Sequence, residues 1–159
     1  MKVTTRIVNE AVKCCLNDRN KVIILLIYYT AATPKQIRYL KYEDFFVFAN
    51  KVKITGVLYD IPGELMILVS EFVAQNRLQK GYLFLTSENE HITDSGISQI
   101  VIKSFDRVIL KRKNITSPQL PKITPHNLRV HRIRQWRRDL NDKEALRLSQ
   151  MKSFRKFDL

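Results

Sequence analysis

Cysteine is scarce in this chain: two residues of 159, and they are neighbours, Cys14 and Cys15. Adjacent cysteines rarely bridge each other, so a disulfide framework is excluded, and two reduced thiols in a reducing compartment are expected. Histidine is scarce too, three in all, and no His/Cys cluster has metal-ligand spacing. Neither a metal nor a cofactor is expected. Long apolar runs are missing: the stretch Val22–Tyr29 falls far short of the roughly 20 residues a membrane span needs. The opening Met1-Lys2-Val3-Thr4-Thr5 turns polar too soon for a secretory signal. These absences predict an intracellular protein with no membrane partner and no small-molecule substrate.

Acidic residues are the most telling shortage. Fifteen Asp and Glu face twenty-eight Lys and Arg, for a net charge of +13. Such an excess favours a polyanion, because neutralising phosphates releases condensed counterions. The excess is also one-sided. Residues 103–159 hold sixteen of the cations and five of the acids, while residues 1–102 are nearly balanced. An uneven distribution predicts a binding surface, with nucleic acid as the favoured polyanion. A length of 159 residues and an apolar fraction of 45% suit one domain with its own core.

Periodicity then divides the chain. Ile7, Val8, Ala11, Val12 and Cys15 recur at helical spacing, and residues 20–32 read as a more uniformly apolar, buried helix. Thr33-Pro34 reads as an N-cap followed by proline in the first turn, starting a helix through Ile37 and Leu40. Phe45–Phe48, Lys51–Thr55 and Val57–Ile61 are short, β-branched and aromatic, and separated by Ala49-Asn50 and Gly56, which predicts three strands. Helices are expected over 63–78, from Thr93 or Asp94 to Lys111-Arg112-Lys113, from Pro125 to about Arg138, and over roughly 142–152. Residues 114–123 read as a loop. The expected class is α+β, mostly helical, with a small three-stranded antiparallel sheet.

Two segments carry a resemblance. Ile24 to Asp44, with Ala31-Ala32-Thr33-Pro34-Lys35-Gln36-Ile37-Arg38 at its centre, resembles the first conserved box of the tyrosine recombinases, or phage integrases. Ile123-Thr124-Pro125-His126-Asn127-Leu128-Arg129 resembles their second box, Pro-His-x-Leu-Arg, and Tyr82-Leu83-Phe84 lies where that family has a similar element. The resemblance implies a recombinase catalytic domain over residues 1–159, without the N-terminal core-binding domain that completes a clamp around DNA. Half a clamp implies a homo-oligomer or a recombinase partner. It also implies a source in a virus or mobile element.

The family's reaction is phosphoryl transfer through a tyrosine that attacks a DNA phosphodiester. Two arginines cover the non-bridging oxygens, a lysine on the second strand turn protonates the leaving oxygen, and two further side chains assist. Set against those roles, this chain resembles a degenerate member. Thr33 stands where the first arginine belongs, and a neutral hydroxyl supplies no forked positive charge. Val57 stands where the lysine belongs, with Lys53 close by on the preceding strand. His126 and Arg129 are both present, three apart on one helix, and are expected to be the phosphate-facing remnant. The later His or Trp position falls near Lys152 by counting along the last helix, and the tyrosine position falls just past Leu159.

What survives is the basic surface. Lys111, Arg112, Lys113, Lys122, Arg132, Arg134, Arg137, Arg138 and Lys152, with Lys53, are the expected DNA-binding residues, and most of their contacts should be to phosphates. Trp136 shares a helix face with Arg129 and Arg132 and is expected to pack. The implied function is DNA binding in recombination or DNA organisation without strand cleavage. The alternative is a fragment, or a subunit completed in trans, of an active recombinase.

Overall fold

The computed structural model describes residues 2–77, 81–86, 88, 90–113 and 122–155, apart from the side chains at 112 and 113. Among the described residues the fold consists of seven α-helices and a three-stranded antiparallel sheet in the order β1-β2-β3. Helix α2 (Asp18–Thr30) is the spine. Val22, Ile23, Ile24, Leu26 and Ile27 are fully buried on it, so α1 (Thr5–Lys13), α4 (Gly63–Gln75) and α6 (Pro125–Asp139) can all pack around one apolar cylinder. Each such side chain contributes about 1.5–3 kcal/mol by leaving water.

The start signals work as their chemistry dictates. Thr4, Asn17, Thr33, Thr124 and Asn141 each accept a hydrogen bond from a backbone N–H two or three residues into the helix they open. Thr33 and Thr124 do so in reciprocal capping boxes with Gln36 and Asn127, and each is followed by proline. They open α3 (Pro34–Arg38) and α6.

The sheet is smaller than the sequence suggests. Strand β1 is only Phe45–Phe46; the chain then tightens into a 3-10 turn over Val47–Ala49, and Asn50 takes a left-handed conformation. β2 (Lys51–Ile54) pairs with β3 (Val57–Asp60), Ile54 opposite Val57. The loop between them is therefore two residues, Thr55 and Gly56, with φ of 48° and 83°. Positive φ at both positions gives the primed turn whose twist matches the strands.

Tyr82–Leu85 is not a strand of this sheet. Tyr82 bridges Lys41, Leu85 bridges His91, and Leu83 and Phe84 are buried between. Helix α5 (Asp94–Lys113) runs along α1 and α3, burying Ile97, Val101, Phe105, Val108 and Ile109. Helix α7 (Asp142–Ser149) is shorter than its sequence predicts. Gln150 is left-handed, φ 57°, and its N–H closes on Arg147 O, which stops the helix before Lys152. No helix among the described residues is long and apolar enough to cross a membrane.

Candidate nucleic-acid interface

The two caps with their prolines meet in space. Ala32, Thr33 and Pro34 form one wall of a cleft of about 260 Å³; Thr124, Pro125, His126 and Arg129 form the other, with Ser98 of α5 between them. The cleft therefore joins Thr33 to the His126/Arg129 pair across ninety residues of sequence. His126 is exposed at its mouth.

Arg129 is a tie as well as a charge. Its Nε donates to Ala31 O at 3.0 Å and its Nη2 to Ser149 O at 2.9 Å. Ala31 is the left-handed residue that ends α2, so one guanidinium fastens the end of α2 to the end of α7. Burial pulls its pKa below the usual arginine value, with the Tyr59 phenol acting the other way. An arginine stays charged regardless.

Thr33 carries no charge into the cleft, and its hydroxyl is engaged in the α3 cap: Oγ1 accepts from Gln36 N at 3.2 Å. Gln36 reaches onward. Its Nε2 donates to Thr55 Oγ1 at 2.8 Å and to Gln150 Oε1 at 3.0 Å, and Gln150 Nε2 donates to Ile54 O and to the Tyr59 hydroxyl. This amide network joins α3, the β2–β3 turn and the end of α7 into one frame behind Arg129. The residue beside the turn is thus Gln150, whereas Lys152 lies past the helix end and is exposed. Counting along an uninterrupted helix misses the left-handed stop at Gln150.

The turn itself offers Val57, half-buried, and Lys53, exposed on β2 opposite Leu58. Lys51 is paired with Asp60 across the strands. Tyr59, on β3, takes part in this network. It is buried, stacks on Trp136 at 6.1 Å, and donates its hydroxyl to Leu148 O. Burial pushes its pKa up, which leaves it a poor nucleophile.

The basic residues divide into two sets. On α6 the face carrying Arg129, Arg132 and Trp136 turns inward. Arg132 lies 4.7 Å above the Tyr28 ring and 5.1 Å from the Tyr29 ring, and its Nε donates to Tyr28 O. Arg137 lies over Phe154 and pairs with Asp142 at 3.3 Å. Arg134 and Arg138 are exposed, but at about 100° per residue they project some 140° and 180° around the helix from Arg129. Lys111 is not brought to the cleft either. It sits thirteen residues beyond Ser98 on α5, about 20 Å along the axis, with Nζ 3.8 Å from Cys14 Sγ. Lys122, exposed, lies two residues before Thr124. The side chains of Arg112 and Lys113 lie outside the described residues. Among the described residues no group of three His, Cys, Asp or Glu could hold a metal ion.

No protein-family model and no curated protein matches the sequence. Solved structures match in shape. The XerH site-specific recombinase, in a pre-cleavage complex with its difH substrate, superposes with a TM-score of 0.79 at 15% identity, over 98% of this chain and 48% of that one. This chain carries the catalytic-domain fold of the tyrosine recombinases. XerA recombinase superposes with a TM-score of 0.77 at 15% identity, over 96% and 55%. A lambda integrase dimer bound to a COC′ core site gives 0.67 at 15% identity, over 98% and 59%. The recombinase-fold chain spans between about half and three fifths of these proteins' lengths.

Proposed function

We propose that this chain binds duplex DNA through the cleft at His126 and Arg129, and that its own residues do not cut a strand. The observation that carries the reading is the cleft itself. The recombinase fold brings both boxes together there, but the Thr33 wall presents a neutral cap, and Lys53 is the nearest cation on the hairpin. A phosphate at this place would meet Arg129 and the exposed His126, with Lys53 and Lys122 on flanking elements. Such contacts are backbone contacts, so binding should fall steeply with salt and depend weakly on sequence. Lys152 and the exposed Arg134 and Arg138 would extend the contact only where the duplex or a second molecule wraps past the cleft. A single domain spanning residues 1–159 would then work alongside another copy or a partner.

Cleavage by this chain alone lacks its parts. No arginine stands at Thr33, no lysine at Val57, and Tyr59 is buried and engaged. On this reading the covalent route has no tyrosine lining the cleft, and loss of the charged groups removes most of the remaining stabilisation. A second reading, a subunit completed in trans, draws on the retained Arg129 geometry and on the lambda integrase neighbour being a dimer on its core site. One experiment separates them. A gel shift with duplex DNA across a salt series should show salt-sensitive binding. A nicked suicide duplex should trap no covalent adduct under the same conditions. A covalent adduct, alone or with an added recombinase, would favour the second reading. Absence of any shift at low salt would refute DNA binding.

A further inference from the structure

A second cleft, of about 640 Å³, lies on the other side of α3. Its walls are Lys35 and Gln36 of α3 with Tyr39 just past its end, and Lys53, Ile54 and Thr55 of the hairpin. Leu40 and Gly56 complete the apolar lining, and Asp44 stands at one edge. Three features of this space stand together. The two lysines are exposed on opposite walls. Tyr39 is 45% exposed although its ring belongs to an aromatic cluster: His91 lies 5.4 Å away and Tyr82 6.3 Å away, both edge-on. The Arg38 guanidinium lies 5.1 Å from the centre of the same ring. The one acid, Asp44, has Oδ2 accepting from the Lys41 backbone N–H at 2.9 Å.

A flat ring held on edge by its neighbours, between two cations, suits a ligand that is itself a flat ring bearing a phosphate. We infer that this cleft receives an unpaired nucleotide of the bound DNA, its base against Tyr39 and its phosphate between Lys35 and Lys53. The inference rests on the DNA-binding reading above and adds a site to it. Position supports it. Thr33 at one end of α3 lines the first cleft and Tyr39 at the other end lines the second. The five residues of α3 separate them, six steps and about 9 Å of rise. Along a duplex axis that rise corresponds to between two and three base-pair steps at about 3.4 Å each. A strand with one phosphate at Arg129 therefore reaches Tyr39 within a few nucleotides. Base–aromatic stacking tolerates any base, which matches a cleft whose Gln36 amide and Thr55 hydroxyl are already hydrogen-bonded to each other.

The test uses the full chain and two fluorescent duplexes, one perfectly paired and one with a single unpaired 2-aminopurine. The bulged duplex should bind more tightly, by about five- to 100-fold, with its 2-aminopurine quenched on binding. Tyr39→Ala should abolish both the preference and the quenching, and Tyr39→Phe should keep them. Lys53→Glu, on the opposite wall and outside the aromatic cluster, should also reduce the preference, which guards against Tyr39→Ala simply loosening the fold. Equal affinity for the two duplexes, or a preference that survives both Tyr39→Ala and Lys53→Glu, would overturn the inference while leaving DNA binding intact. Failure to bind either duplex at low salt would overturn the DNA reading beneath it.

Discussion

Arg132 lies over Tyr28, its guanidinium 4.7 Å from the ring centre and its Nε donating to the Tyr28 carbonyl at 2.6 Å. Tyr28 also stacks on His131 at 5.9 Å, and its hydroxyl shares a hydrogen bond with Thr5 at 2.8 Å. One basic residue of α6 thus joins α6 to α2 at the point where α2 also meets α1. A basic side chain can stabilise in this way because its stem and planar head cover apolar surface while its donors find an acceptor.

Arg132→Ala should therefore act on stability before it acts on DNA. The lost charged hydrogen bond and ring contact are together worth about 2–4 kcal/mol. Urea denaturation should show a lower midpoint with an unchanged slope, and duplex affinity at a temperature where the variant stays folded should change less than threefold. A large affinity loss in a variant of unchanged stability would mean that Arg132 turns outward to the phosphate.

His131 makes the same contact sensitive to pH. Burial lowers its pKa, and Arg132, Arg138, Lys2 and Arg134 push in the same direction. The folded protein then holds the proton less well than the unfolded chain, whose imidazole titrates near 6.5. The stability this neutral imidazole provides is complete above about pH 6.5 and declines as the pH falls below it toward the lower folded value. Denaturation midpoints measured from pH 8 to pH 5 should drop, and His131→Phe should flatten that part of the profile. An equal drop in the variant would assign the pH dependence to other groups.

The caps that build the cleft were legible because their signal is local. Thr-Pro opening an apolar period fixes a helix start whatever surrounds it, and both such starts lie where the sequence puts them. The inward turn of Arg129 and Arg132 was not legible. In a segment carrying five arginines in ten residues, the difference between a phosphate contact and a carbonyl contact depends on which helix lies opposite, and that is tertiary information. Gln150 was missed for a related reason. A left-handed stop at a non-glycine residue costs energy locally and is held only by partners far away in sequence, here Ile54, Tyr59 and Gln36. The shortness of β1 follows the same logic: Phe45–Phe48 has ideal strand composition, yet Phe48 is fully exposed on a 3-10 turn. Composition scores the residue, and the neighbouring strand decides whether it pairs.

Arg129→Lys tests whether the fork matters as well as the charge. A lysine cannot reach Ala31 O and Ser149 O together from a planar head. The end of α7 should loosen, with faster amide hydrogen exchange over residues 142–149 and a stability loss of about 1–3 kcal/mol. Duplex affinity should fall too, since the remaining cation is no longer aimed from a fixed frame. Wild-type exchange rates in α7 together with reduced affinity would show a residue that serves the ligand alone.

The most direct probe of the cleft adds what it lacks. Thr33→Arg puts a guanidinium on the wall facing His126 and Arg129. It removes the acceptor that caps Gln36 N, at a cost of about 0.5–2 kcal/mol, although the Gln36 side chain can still accept from the residue 33 N–H. If the cleft meets a phosphate, the new cation neutralises one more charge. Duplex affinity at low salt should rise, and the logarithmic salt slope should steepen by about 0.9. The variant should still form no covalent adduct on a nicked duplex, because an added arginine supplies no nucleophile. A slope unchanged from wild type, in a variant shown by its melting curve to be folded, would mean that DNA does not enter between Thr33 and Arg129, and the proposed binding face would have to move to the exposed Arg134 and Arg138 side of α6.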